Sequence, residues 1–183
     1  MTWIQTKSGR ALMILEPRAE QIATEDIVYG LSFMPRFSGQ LAEFYCVAEH
    51  SVHVANRVRA LGGTIQEQQW GLMHDAPEAY LGDMVAPLKR LLPDYGLIER
   101  AVMEAVAEAY QLDGSSIPAI VKDADLDLLV SEKATLLGPE PLDWGLPPRE
   151  PIQRWKPRMW SPEESRRRFG AKMAELGIPM VVG

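Results

Sequence analysis

The sequence predicts an all-α protein of one domain, a helical bundle of about six or seven helices. Apolar residues recur at helical spacing in several segments, whereas no segment shows the apolar–polar alternation of a half-buried strand. Capping residues, glycines and prolines stand where these segments begin and end. A chain of 183 residues, 46% of them hydrophobic, is long enough to bury a sizeable core within a single domain.

Two helices are predicted in the first third of the chain. The first begins after Thr24, an N-cap candidate followed by acidic residues, and ends before Pro35. The second covers about residues 46–61 and ends at Gly62-Gly63, because glycine readily adopts the conformation that terminates a helix. The 22 residues before the first helix look irregular or briefly extended.

A third helix is predicted to begin at a capping box formed by Thr64 and Glu67. It should run to about Tyr80, and Pro77 should kink or end it. Further helices are predicted over residues 86–92, 97–112, 117–137 and 162–176, with Pro93 breaking the first of these from the second.

Residues 138–162 form a proline- and tryptophan-rich segment without helical or strand periodicity. The segment holds seven of the chain's fourteen prolines and three of its five tryptophans. So long an irregular stretch is unusual in a compact domain. We expect a helical core over about residues 24–137, and an irregular segment that wraps this core or reaches a neighbouring subunit.

Composition restricts the class of protein. The net charge of −6 argues against a protein that binds nucleic acid polymers, which usually carries a basic face. One cysteine, Cys46, allows no disulfide within the chain. The N-terminal residues lack the apolar region of a signal peptide, and no run approaches the length of a membrane span. The expectation is a cytoplasmic protein without a membrane partner.

His74 and Asp75 are the strongest functional signal, because they stand side by side in an otherwise apolar segment, residues 70–80. Burying a carboxylate costs several kcal/mol unless something pairs with it, and a metal ion is the simplest partner. The two other histidines, His50 and His53, lie on the preceding predicted helix. A further carboxylate ligand could come from a later helix, which offers Asp123, Asp125 and Asp127.

A site of two imidazoles and two carboxylates suits a divalent ion such as Co²⁺, Mn²⁺, Zn²⁺, Fe²⁺, Ni²⁺ or Mg²⁺. His53 is one helical turn from His50, and we interpret it as a flanking residue rather than a ligand. A metal site of this kind predicts hydrolysis by an activated water.

The order of these residues resembles the HD-domain phosphohydrolases. The motifs that carry the resemblance are Ala48-Glu49-His50-Ser51-Val52, Met73-His74-Asp75-Ala76-Pro77-Glu78 and Val121-Lys122-Asp123-Ala124-Asp125. The resemblance covers about residues 24–137. Within this family, the chain is similar to small members of two kinds: bacterial 5′-deoxynucleotidases, which act on deoxynucleoside monophosphates, and phage dATP triphosphohydrolases. The segment from Glu25 to Ser51 looks closer to the phage type.

The resemblance implies a role for each of ten residues. The metal ligands would be His50, His74, Asp75 and Asp125, holding one divalent ion, with a second ion possible on the substrate phosphates. Glu78 would position or deprotonate the attacking water, and Asp83 would assist it or hold the leaving 5′-oxygen. Substrate would be contacted by Arg36, Phe37, Lys89 and Lys122.

The expected activity is therefore metal-dependent hydrolysis of a deoxynucleotide at its 5′-oxygen, with dATP as the leading substrate and triphosphate as the product. The resemblance leaves two alternatives: a 5′-deoxynucleotidase that acts on monophosphates, and a nucleotide-binding sensor with little turnover. Relatives of this type form dimers or larger rings, so a homo-oligomer is also expected.

Overall fold

The structure, a computed structural model, describes residues 2–114 and 116–182 and confirms the all-α fold. The α-helices are α1 Thr24–Phe33, α2 Val47–Ala60, α3 Ile65–Met73, α4 Glu78–Leu81, α5 Ala86–Lys89, α6 Pro93–Ala109, α7 Ala119–Leu136 and α8 Pro162–Glu175. Short 3₁₀ helices cover Ala19–Gln21 and Arg36–Gly39. Helix α2 lies at the centre and packs against α1, α3, α7 and α8.

A short hairpin precedes the helices. Strand β1, Trp3–Gln5, pairs antiparallel with β2, Ala11–Met13, and places Ile4 opposite Leu12. The side chain of Leu12 is fully buried and joins the core. Strands of three residues are too short for an alternating pattern to stand out in the sequence, so only a briefly extended segment could be expected here.

The capping box of α3 is confirmed. The Thr64 amide donates to Glu67 Oε2 at 2.8 Å, and the Glu67 amide donates to Thr64 Oγ1 at 3.2 Å. Thr24, however, is the first residue of α1 and not its N-cap. Its hydroxyl lies 2.9 Å from Tyr110 Oη and accepts a hydrogen bond from the Val181 amide at 2.8 Å. The Thr24 hydroxyl is therefore engaged with residues far away in the sequence and does not cap the first turn of α1.

The helix boundaries around two prolines also differ from the prediction. Pro93 is the first residue of α6 and does not lie in a break between two helices. Proline is tolerated at this position because the backbone amide that it lacks would have no hydrogen-bond partner within the first turn of a helix. Helix α3 ends at Met73, so His74 and Asp75 lie in the turn between α3 and α4. Pro77 precedes α4 and, as expected, interrupts the predicted third helix.

Residues 137–161 have no helix or strand and lie against the helical core. The buried Glu49 carboxylate accepts hydrogen bonds from the backbone amides of Arg158, Met159 and Trp160 at 2.5, 3.2 and 2.7 Å. Earlier in the segment, Arg149 binds α7. Carboxylates of α7 and α2 therefore hold the segment near its middle, at Arg149, and near its end, at residues 158–160.

No helix within residues 2–114 and 116–182 has the length and apolar character needed to span a membrane.

Gly30 sets the distance between α1 and α4, the helix that begins with Glu78. A Cβ added at Gly30 would lie 2.7 Å from the Ala79 carbonyl oxygen and 2.9 Å from its Cα, so the backbones would have to separate. We expect Gly30→Ala to lower the free energy of unfolding by about 1–3 kcal/mol, as overpacking does elsewhere, measured by urea denaturation. Gly96→Ala in α6 is the control, since its Cβ would meet no described atom within 4 Å. Equal stability of the two variants would contradict this account.

Candidate metal centre

The four predicted metal ligands converge at one end of the turn between α3 and α4. His50 Nε2 lies 3.0 Å from Asp125 Oδ1 and 3.7 Å from Asp75 Oδ2. His74 Nε2 lies 3.2 Å from Asp75 Oδ2 and 3.9 Å from Asp125 Oδ1. Ligand atoms of His50, His74 and Asp125 all lie within 4.8 Å of one another.

One ring nitrogen of each imidazole, Nε2, faces the space between the four candidate ligands. Both Nε2 atoms are buried, and neither has a hydrogen-bond partner of acceptable geometry among the described residues. The side chains of His50 and His74 are 0% and 5% exposed, so bulk water does not satisfy them. Buried polar atoms without partners are rare and demand an explanation, which a bound cation supplies.

The other ring nitrogens are held by acceptors. His50 Nδ1 lies 2.6 Å from Glu132 Oε1, and His74 Nδ1 lies 2.9 Å from the Gly71 carbonyl oxygen. An Nδ1–H that donates to each acceptor leaves the Nε2 lone pair free for a metal. The arrangement is that of most protein metal sites with histidine ligands.

The spacing of the ligand atoms fits a divalent ion. Ligand atoms about 2.1 Å from a metal lie about 3.0 Å apart in octahedral and about 3.4 Å apart in tetrahedral geometry. The four distances, from 3.0 to 3.9 Å, are close to these values. Two imidazoles with hard carboxylates accept several divalent ions, so the donor set does not single out one metal.

The two acids on either side of Asp125 and the third histidine have partners outside the candidate metal centre. Asp123 and Asp127 both bind Arg149, at 2.5 and 2.6 Å, and therefore do not compete with Asp125 for the site. The ring of His53 lies beside two tryptophans of the wrapping segment, Trp155 and Trp160, with its Nε2 3.4 Å from Glu49. His53 is thus a packing residue.

In the metal-free protein, the charged groups at the centre shift one another's pKa values. Burial and the charge of Arg36 lower the pKa of His50, but nearby carboxylates outweigh both and raise it to about 9. Burial raises the pKa of Asp75, whereas the positive charges of His74, His50 and Arg36 bring it well below its usual range. Without metal, the surrounding carboxylates therefore favour the protonated form of the His50 ring.

Metal uptake is expected to release protons. Only neutral imidazole ligates a metal, and below its raised pKa the His50 ring carries a proton that binding must displace. Metal affinity should therefore fall as pH is lowered, and the heat of binding should depend on the ionisation enthalpy of the buffer. Calorimetric titration with Zn²⁺ in two buffers of different ionisation enthalpy measures the protons released. Identical heats would show that the ligands are already neutral.

Two further carboxyl groups lie next to the predicted ligands. Glu78, the first residue of α4, is 5% exposed, and its Oε2 has no partner in the described chain. Burial raises the pKa of Glu78, and the negative charges of Asp75 and Asp83 raise it further. Burial also raises the pKa of Asp83. A carboxyl group with a raised pKa is suited to exchanging a proton near neutral pH.

Arg36 is held by carboxylates. Its Nε and Nη2 donate to Glu132 Oε2 at 3.1 and 2.9 Å, and Nη1 lies 3.7 Å from Asp75 Oδ2. Phe37 follows in a left-handed conformation, φ 54°, with its ring 5.4 Å from the guanidinium carbon. Of the three guanidinium nitrogens of Arg36, Nη1 is the one that faces Asp75 and not Glu132. A contact of Arg36 or Phe37 with the substrate stays a prediction.

A cavity of about 1370 Å³ opens from the centre between α3, α6 and α7. His74, Asp75 and Asp125 are among the residues that line it, together with Lys89 and Lys122. Lys89 Nζ donates to Glu99 Oε1 at 2.6 Å, whereas Lys122 is exposed. The cavity thus gives a small anionic molecule a route to the candidate ligands, past two ammonium groups.

Two further residues at the centre, Glu132 and Tyr45, were not predicted from the sequence. The Glu132 carboxylate is fully buried and accepts from Tyr45 Oη at 2.7 Å, besides its contacts with His50 and Arg36. Glu132 follows Asp125 by seven residues, which is two helical turns, so both lie on one face of α7. This spacing indicates that Glu132 lies on the same face of the helix as Asp125. It does not distinguish Glu132 from other acidic residues of a helix, so it could not predict the contact with His50.

The fold and the site define an all-α protein with a possible divalent-metal centre of His50, His74 and Asp125. No family model matches the chain. It is similar to the uncharacterized protein YfdR of Escherichia coli (strain K12), with 41% identity over 138 residues, which are 74% of this chain and 73% of YfdR. The chain belongs to the family of YfdR. An uncharacterized protein of Rhodobacter capsulatus is 42% identical over 92 residues, 48% of this chain and 46% of that protein.

Proposed function

We propose that this protein is a metal-dependent phosphohydrolase of the HD-domain type that cleaves a deoxynucleotide at its 5′-oxygen. One observation carries the proposal: two buried imidazole Nε2 atoms without described partners face Asp75 and Asp125, which line a cavity together with Lys89 and Lys122. Such a cluster would hold a divalent ion where an anionic substrate can enter.

When bound, a divalent ion would lower the pKa of a water molecule and polarise the substrate phosphate. The residues of the chain supply the remaining chemistry. Glu78 accepts a proton from the attacking water while the oxygen of that water bonds to the α-phosphorus. The bond between phosphorus and the 5′-oxygen breaks, and Asp83, protonated before the reaction, donates its own proton to that oxygen. Lys89 and Lys122 offset the charge of the phosphate groups.

The leading substrate is a deoxynucleoside triphosphate, with dATP first, as the resemblance of residues 25–51 to the phage-type enzymes implies. The position of Arg36 favours a second candidate, a deoxynucleoside monophosphate. Because Glu132 and Asp75 engage Arg36, and Glu99 engages Lys89, less positive charge is free for a long phosphate chain than a triphosphate would demand.

The test is an incubation of the purified protein with Co²⁺ or Mn²⁺ and a panel of deoxynucleoside mono- and triphosphates. Chromatography of the nucleoside, with separate detection of phosphate and triphosphate, identifies the bond that is cleaved. Deoxyadenosine and triphosphate from dATP support the leading proposal, whereas phosphate from monophosphates supports the second candidate. Binding of metal and nucleotide without turnover would point to a sensor and would overturn the enzymatic proposal.

A further inference from the structure

The Glu132 side chain makes four hydrogen bonds beside the candidate metal centre. It lies on α7, two turns after Asp125, and is 0% exposed. Its carboxylate accepts from His50 Nδ1 at 2.6 Å and from Tyr45 Oη at 2.7 Å through Oε1. Through Oε2 it accepts from Arg36 Nε and Nη2 at 3.1 and 2.9 Å.

We infer that Glu132 is the positioning residue that orients His50 toward the metal and holds Arg36 beside it. The inference rests on the metal site of the proposed function but not on the reaction. The geometry explains why a fully buried acid is tolerated at this place, since a buried charge needs partners with good hydrogen-bond geometry. Both carboxylate oxygens have such partners.

The contact with His50 decides which ring nitrogen faces the centre. A carboxylate only accepts, so Nδ1 must donate, and Nε2 is the nitrogen that faces Asp75 and Asp125 and can ligate a metal once it has lost its proton. The rotation of the ring is set at the same time, because Tyr45 and Arg36 hold the carboxylate from two other directions. Carboxylates that hold a ligating histidine in this way increase its basicity as a ligand.

The contact with Arg36 has a second consequence. The fork formed by Nε and Nη2 is bound to Glu132 Oε2, which leaves Nη1 beside Asp75 at 3.7 Å. One carboxylate therefore couples a metal ligand to the cation nearest the centre. Glutamine cannot replace it, because all four contacts are donors and an amide would turn a donor toward either the His50 side or the Arg36 side.

Glu132→Gln is the test variant, and Glu49→Gln is its matched control. Glu49 is equally buried, but its carboxylate accepts from backbone amides of the wrapping segment and does not contact His50. Calorimetric titration with Zn²⁺ should show an affinity about 10- to 100-fold lower for Glu132→Gln, the usual effect of losing such a partner, and an unchanged affinity for Glu49→Gln. The visible absorption of bound Co²⁺ should change in Glu132→Gln alone.

A second measurement on the wild-type protein does not depend on the variant's folding. In the Zn²⁺-loaded protein, nitrogen-15 correlation spectra should place a slowly exchanging, downfield-shifted proton on Nδ1 of His50. Absence of that proton would overturn the inference, as would equal Zn²⁺ affinity of Glu132→Gln and wild type, or an equal loss in the control. Metal binding without turnover would overturn the proposed function alone, and failure of the wild type to bind any metal would overturn both.

Discussion

Replacing His74 by alanine is expected to remove high-affinity metal binding and to lower turnover by about 1000-fold or more. The buried Nε2 of His74 lies 3.2 Å from Asp75 and faces the centre without a described partner of its own. Loss of this ligand removes several kcal/mol of charge stabilisation, and each 1.4 kcal/mol corresponds to tenfold in rate. Calorimetric titration with Mn²⁺ or Co²⁺, followed by the nucleotide assay, measures both effects.

The matched control is His53→Gln. His53 is also a partly buried histidine, on the same helix as His50, but its ring packs against Trp155 and Trp160. Metal affinity and turnover should stay at the wild-type level in this variant. Wild-type metal affinity in His74→Ala would contradict the assignment of the centre, whereas equal losses in both variants would indicate a general effect on folding.

Replacing Glu78 by glutamine is expected to separate binding from chemistry. Turnover should fall by about 100- to 10,000-fold, the usual contribution of a positioned acid or base, while metal affinity stays close to that of the wild type. Glutamine has nearly the size of glutamate and fits the same buried place at the start of α4, but it cannot accept a proton. Single-turnover assays at saturating metal report the chemical step.

Glu49→Gln serves as the control here as well, because its carboxylate is also buried and, within residues 2–114 and 116–182, binds only the wrapping segment and His53. It should lower stability without changing turnover of the folded protein. A Glu78→Gln variant that keeps wild-type turnover would remove Glu78 from the mechanism. A variant that loses metal affinity instead would make Glu78 part of the metal site.

The helices could be predicted because they depend on local spacing, whereas the candidate ligands were selected by a resemblance in the order of their motifs. Of the apolar stripe that the sequence predicts for α2, Val47, Val54 and Val58 are buried as the helical period requires, whereas Leu61, the C-cap residue, is 40% exposed. The choice of Asp125 over Asp123 and Asp127 came from a resemblance, and the ion pairs of Arg149 give the physical reason for it. Thr24 was misassigned because its partners, Tyr110 and Val181, are remote in the sequence.

His74 and Asp75 stand out in the amino-acid sequence as an imidazole and a carboxylate in an apolar segment, and a resemblance in the order of the motifs adds His50 and Asp125 as candidate ligands. The folded chain was needed to show that Glu132 holds both His50 and Arg36, because these contacts join α7 to segments 82 and 96 residues earlier. It was also needed to show that Arg36 is engaged by carboxylates. Periodicity reports which face of a helix is buried, whereas the partner of a buried charge depends on how the helices pack.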